Sequence, residues 1–140
     1  MFDDELKKIE LFRKLINIRF LKKEVNVSVD DGISVKSIET GFNIPLERLS
    51  SGEQHLLVLY YDLIFRFQEG TLVLIDEPEI SLHVSWQKRF INEMMKIMEV
   101  NGMKALIATH SPTLIGKYWH LTRELDKNLE DMVDEPKIAD

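Results

Sequence analysis

Two short, uninterrupted apolar runs, Leu72-Val-Leu-Ile75 and Ala105-Leu-Ile-Ala108, limit most severely what this chain can fold into. Neither alternates apolar with polar residues, which is the pattern of strands covered on both faces in a parallel sheet. Between them, Val84 to Glu99 carries Trp86, Phe90, Met94 and Ile97 or Met98 at helical spacing. Pro78 prevents extension of the first run, and Asn101-Gly102 turns the chain into the second. Strand, helix and strand with a right-handed crossover make a parallel α/β unit.

The rest of the chain can be organised around that unit. Phe2, Leu6, Ile9 and Phe12 open an amphipathic helix within residues 1–23, with Asp3 and Asp4 available to cap it. Residues 24–46 alternate through Val25, Val27 and Val29, turn at Asp30-Asp31-Gly32 and resume with Ile33, Val35 and Ile38, as short antiparallel strands do. Ser51 begins a second helix reaching about Phe67, with Leu56, Leu57, Tyr60, Leu63, Ile64 and Phe67 on one face. One domain over residues 1–125 is expected, its core spanning 47–125, followed by an acidic tail over 126–140. Trp86, Trp119, Met94, Met95 and Met98 are expected in the core.

Composition narrows the function classes. With 44% hydrophobic and 30% charged residues, the chain has the balance of a soluble globular domain. No apolar run approaches the roughly 18–20 residues of a membrane span, and the acidic start does not resemble a secretion signal, so no membrane partner and a cytoplasmic location are expected. There is no cysteine, and His55, His83, His110 and His120 lack metal-ligand spacing. The net charge of -6 opposes general affinity for nucleic acid, and the basic residues near the start are interleaved with acids. A nucleic-acid or nuclease partner is therefore unsupported.

Three motifs carry chemistry: Leu49-Ser-Ser-Gly-Glu-Gln54, Leu72-Val-Leu-Ile-Asp-Glu77 and Ala108-Thr-His-Ser-Pro112. Asp76 and Glu77 end a parallel strand at the carboxyl edge of a sheet, where open α/β folds bind ligands. Asp76 suits Mg²⁺, ordinarily through water, and Glu77 suits polarising an attacking water. His110, at the end of the next strand, can donate to a γ-phosphate oxygen. Ser50, Ser51 and Gly52 present a hydroxyl, a tight backbone and the first amides of a helix to an anion. Each motif alone has an ordinary structural reading as a strand end, a turn histidine or a Ser-capped helix. Their order in one chain favours a nucleotide site, yet no Gly-x-x-x-x-Gly-Lys-Ser/Thr phosphate loop occurs in these 140 residues.

On these motifs the segment from about Phe42 to Leu125 resembles the carboxyl-terminal part of an ABC-type ATPase of the non-transporter branch. That branch includes chromosome-maintenance, recombination and repair ATPases, the overcoming-lysogenization-defect group, and bacterial AAA-family predicted ATP-binding proteins involved in virulence. The resemblance implies an α/β fold, a partial P-loop NTPase (ABC ATPase head) lacking its Walker A lobe. It makes Ser50, Ser51, Gly52 and Glu53 the signature, Asp76 and Glu77 the Walker B acids, Glu79 to His83 the D-loop with Ser81 and His83 as nucleotide-facing residues, and His110 the switch histidine. The signature reads Ser-Ser-Gly-Glu where Ser-Gly-Gly-Gln is more usual, and the D-loop reads Glu-Ile-Ser-Leu-His where Ser-Ala-Leu-Asp is usual.

ATP and Mg²⁺ are the implied ligands, sandwiched between two heads. The implied partners are a second head or another copy of the chain, together with the Walker A lobe. Without that lobe's strand, an apolar sheet edge is expected to stand unpaired. Two readings follow: the acid, switch and signature half of an ATPase, or a non-enzymatic interaction module that keeps the fold for assembly.

Overall fold

The computed structural model describes residues 2–28 and 30–124. The expected acidic tail and Val29 lie outside the described residues.

Helix α1 (Phe2–Asn17) carries Asp3, Asp4 and Glu5 in its first turn and Lys14 in its last, both favourable to the helix dipole. It is shorter than the expected 1–23 segment. Phe12, Leu15 and Ile16, spaced three and four apart, are buried against the following helices. At its end the Asn17 amide latches the chain to the first strand: Nδ2 donates to Val25 O at 3.2 Å and Oδ1 accepts from Val25 N at 2.7 Å. Strands β1 (Lys23–Ser28) and β2 (Gly32–Ser37) pair antiparallel with Val25 opposite Val35 and Val27 opposite Ile33. This is the hairpin expected over 24–46.

Helix α2 (Ser51–Tyr61) continues into a wider π-helical turn, Asp62–Arg66. That widening displaces carbonyls from the usual ladder, and a side chain from elsewhere takes them up: Asn101 Nδ2 donates to Leu63 O at 2.7 Å and to Ile64 O at 3.0 Å. Asn101 ends helix α3 (Val84–Asn101), and Gly102 follows with φ 61°. A Cβ there would lie 2.8 Å from Glu69 Cγ, so backbone conformation and space both select glycine.

Beneath α1, α2 and α3 lies the core, with Phe12, Leu56, Tyr60, Leu63, Ile64, Phe90, Met94 and Ile97 fully buried. Arg19, Tyr60 and Glu93 form a polar knot inside it. Arg19 Nη2 donates to Glu93 Oε2 and to Tyr60 Oη, and Tyr60 Oη donates to the same carboxylate oxygen. Burial first, and then the neighbouring Glu93 carboxylate, hold the Tyr60 hydroxyl well above its ordinary pKa against the pull of Arg19.

Strands β3 (Leu72–Asp76) and β4 (Lys104–Ala108) pair in parallel with α3 as the crossover between them. One expectation fails here. The two apolar runs are not covered on both faces: Leu72, Leu74 and Leu106 are 59%, 71% and 63% exposed, while Val73, Ile75, Ala105 and Ile107 turn toward the helices. Alternation along a strand puts Leu72, Leu74 and Asp76 on one face, and register adds Leu106 beside Leu74. The helices among the described residues pack on this pair from the other side, against Val73, Ile75, Ala105 and Ile107. Among the described residues this sheet has two strands, so its outer edges are unpaired. Met95 and Trp119, expected in the core, are also exposed.

Candidate functional site

The strand ends place the acid pair and the imidazole together. Asp76 pairs in register with Ala108, and Glu77 N donates to Ala108 O at 2.9 Å, the last ladder bond between the strands. Glu77 then turns with φ 42° and ψ 54°, a left-handed conformation that is uncommon for a side-chain-bearing residue. Glu77 Oε1 lies 3.5 Å from His110 Nε2, and both side chains reach solvent. Asp76 is exposed at the rim of the bare leucine face and has no partner among the described residues. An accessible hard oxygen of this kind fits Mg²⁺ that arrives with phosphates. No cluster of three or more potential metal ligands exists among the described residues.

The serine-glycine corner is built by a capping box. Ser50 Oγ accepts from Glu53 N at 3.3 Å, and Glu53 Oε2 accepts from Ser50 N at 2.9 Å. Glu53 Oε1 accepts from Lys23 Nζ at 2.7 Å. Burial raises the Glu53 pKa, but Lys23 and the Ser50 amide outweigh it and hold the carboxyl below its ordinary value. Both oxygens of Glu53 are therefore engaged within the chain, and it shapes the corner from below. Ser50 keeps its hydroxyl proton to donate, Ser51 is exposed, and Gly52 leaves the backbone uncovered.

The same corner faces the turn after Glu77. Residues Ser50 to Glu53, Ile80 to His83 and Trp86 line an open concavity of about 810 Å³. His83 caps α3 through Nδ1, which accepts from Ser85 N at 3.3 Å, and its ring is 6.3 Å from that of Trp86. The residues expected to form the signature and those expected to form the D-loop thus share one concavity, and Asp76, Glu77 and His110 are not among its lining. Sequence reasoning placed Glu79 only as the opening residue of the D-loop and gave Gln87 no role. Glu79 Oε1 accepts from Thr109 Oγ1 at 2.7 Å and from His110 N at 2.8 Å. Burial raises its pKa, yet these donors hold the carboxyl below its ordinary value. An acid two residues beyond a strand-ending acid pair, at the start of the expected D-loop, was the signal available.

A family model described as "AAA domain, putative AbiEii toxin, Type IV TA system" matches residues 2–116. The chain belongs to this AAA domain family. Among its relatives is Protein ea59 of Escherichia phage lambda, 30% identical over 114 residues that cover 81% of this chain and 22% of that protein. Another is the "Retron Vc95 probable ATPase" of Vibrio cholerae serotype O1 biovar El Tor, 27% identical over 66% of this chain and 20% of the relative. This chain spans about a fifth of the length of these relatives. Among solved structures, the SMC head domain from Thermotoga maritima aligns with a TM-score of 0.54 at 19% identity, covering 76% of this chain and 38% of that one. At that identity the likeness is one of fold, and it supports the partial P-loop NTPase architecture. The AAA domain is an ABC-type, ATPase-like domain, and no described helix is long and apolar enough to cross a membrane.

Proposed function

We propose that this AAA domain is the signature, Walker B and switch half of an ATP-hydrolysing head. The observation that carries the reading is the approach of Glu77 Oε1 to His110 Nε2 at 3.5 Å beside Asp76, on adjoining parallel strands. Glu77 orients and deprotonates the attacking water, and His110 donates to the γ-phosphate as charge develops there. Asp76 would hold Mg²⁺, which neutralises phosphate charge when bound. Ser50, Ser51 and Gly52 face the nucleotide of a second head across the concavity shared with Ser81 and His83. That two-sided use fits a concavity whose lining leaves out the acid pair.

The phosphate loop comes from polypeptide outside these 140 residues. Its docking face is the bare stripe of Leu72, Leu74 and Leu106, which runs to Asp76. Covering each leucine gains about 1–2 kcal/mol, which offsets part of the cost of association and leaves the rest to other contacts of the lobe. The test supplies a phosphate-loop lobe to the purified chain and measures ATP turnover. Hydrolysis should appear only with the lobe, vanish in Glu77→Gln while ATP remains bound, and be blocked by Leu74→Asp. A folded lobe that binds the chain but yields no turnover instead supports the interaction-module reading.

A further inference from the structure

Beyond Ala108 the strand ladder ends, and what holds the next three residues is one side chain from the turn after Glu77 and one from the start of α3. Glu79 Oε1 takes the Thr109 hydroxyl and the His110 amide. Gln87, buried at the start of α3, donates from Nε2 to Leu82 O at 3.1 Å and accepts from Ser111 Oγ at 2.7 Å. The imidazole of His110 is itself 90% exposed, so packing does not fix it. Its placement against Glu77 is set through the backbone, and Glu79 grips that backbone.

The other end of the turn carries Ile80, 77% exposed, together with Ser81, and both line the signature concavity. Glu79, Ile80 and Ser81 belong to one short 3-10 turn, Pro78–Ser81, which directly follows the acid pair. A body seated in the concavity would therefore touch the same turn that holds the His110 amide. The second carboxylate oxygen of Glu79 is buried with no hydrogen-bond partner among the described residues, so its hold on Thr109 and His110 runs through Oε1 alone.

We propose that Glu79 is a positioning residue that couples occupation of the signature concavity to the placement of His110 against Glu77. This rests on the ATPase reading above. The experiment compares wild type, Glu79→Ala and Glu79→Gln in the head completed by a phosphate-loop lobe. Glu79→Ala should retain KM for ATP within about twofold and still dimerise, while kcat falls about 10- to 100-fold and no longer rises with head concentration. Glu79→Gln keeps a carbonyl acceptor for the His110 amide and should recover most of the lost turnover. In the 140-residue chain, hydrogen exchange at the His110 amide should accelerate at least about tenfold in Glu79→Ala. If Glu79→Ala does not fold, Thr109→Val removes one of the two bonds and should lower kcat several-fold.

The proposal is overturned by unchanged kcat in the variant, by equal losses in Ala and Gln, or by unchanged His110 exchange. A wild-type completed head that hydrolyses nothing refutes the ATPase reading instead, and the exchange measurement still decides whether the latch exists.

Discussion

Gly52→Ala separates the needs of the fold from those of a ligand. Gly52 is the second residue of α2, and its φ is not positive. An added Cβ would lie 3.6 Å from Ser81 O and 3.6 Å from Trp86 Cζ3, both ordinary contacts. The fold therefore has no use for glycine here, although glycine in a helix costs roughly 0.5–1 kcal/mol relative to alanine. In the first turn we take the lower end, about 0.5 kcal/mol, which for a domain of this size raises Tm by roughly 1–3 °C. A methyl group would nevertheless take up space in the concavity that Gly52 lines with Ser81 and Trp86, on the side proposed to meet a phosphate. Displacing the nucleotide by even about 1 Å costs on the order of 100-fold in turnover. Differential scanning fluorimetry on the chain and ATPase assays on the completed head read the two effects separately. A Tm drop of several degrees would show that the glycine is structural. Full turnover in the variant would show that no phosphate approaches this corner.

Other outcomes follow from the buried polar groups. Glu93→Ala leaves the Arg19 guanidinium, already carrying unpartnered Nε and Nη1 atoms, buried without its counter-charge. Urea unfolding should show a loss of about 3–5 kcal/mol, largely recovered in the Arg19→Met/Glu93→Leu double variant; a loss under about 1 kcal/mol contradicts the burial argument. The lowered pKa of Glu53 fixes the sign of its acid dependence. Because the folded value lies below the unfolded value of about 4.3, its stabilisation is complete above that pH and is lost as pH falls through the folded value. Glu53→Gln should lower Tm at pH 7 and flatten the decline of Tm between roughly pH 5 and 3; a parallel decline in both proteins refutes it.

Much of the candidate site was legible because its signals are local. A strand that ends in Asp76-Glu77-Pro78 and a second that ends before His110 need only one intervening helix to become neighbours, and pairing of Asp76 with Ala108 brings their ends together. The Ser50 capping box was likewise written in four consecutive residues. Illegible were the partners drawn from far along the chain. Asn101 serving the π turn of α2, Lys23 on Glu53, and Glu79 on His110 join residues separated by 30 or more positions. No periodicity or short spacing encodes such contacts. Glu53 shows the consequence: its motif suggested a ligand-facing group, and its oxygens are engaged by Ser50 and Lys23.

The apolar runs mark the division most clearly. By itself the sequence determined that residues 72–75 and 105–108 lie in strands and that a helix crosses between them, because backbone preference and helical periodicity act over a few residues. Only the tertiary structure decided that one face of each strand packs on helices while Leu72, Leu74 and Leu106 stand bare. Burial depends on which surfaces the whole chain brings to a strand, whereas the hydrophobicity of the strand reports only which surfaces it would gain by covering.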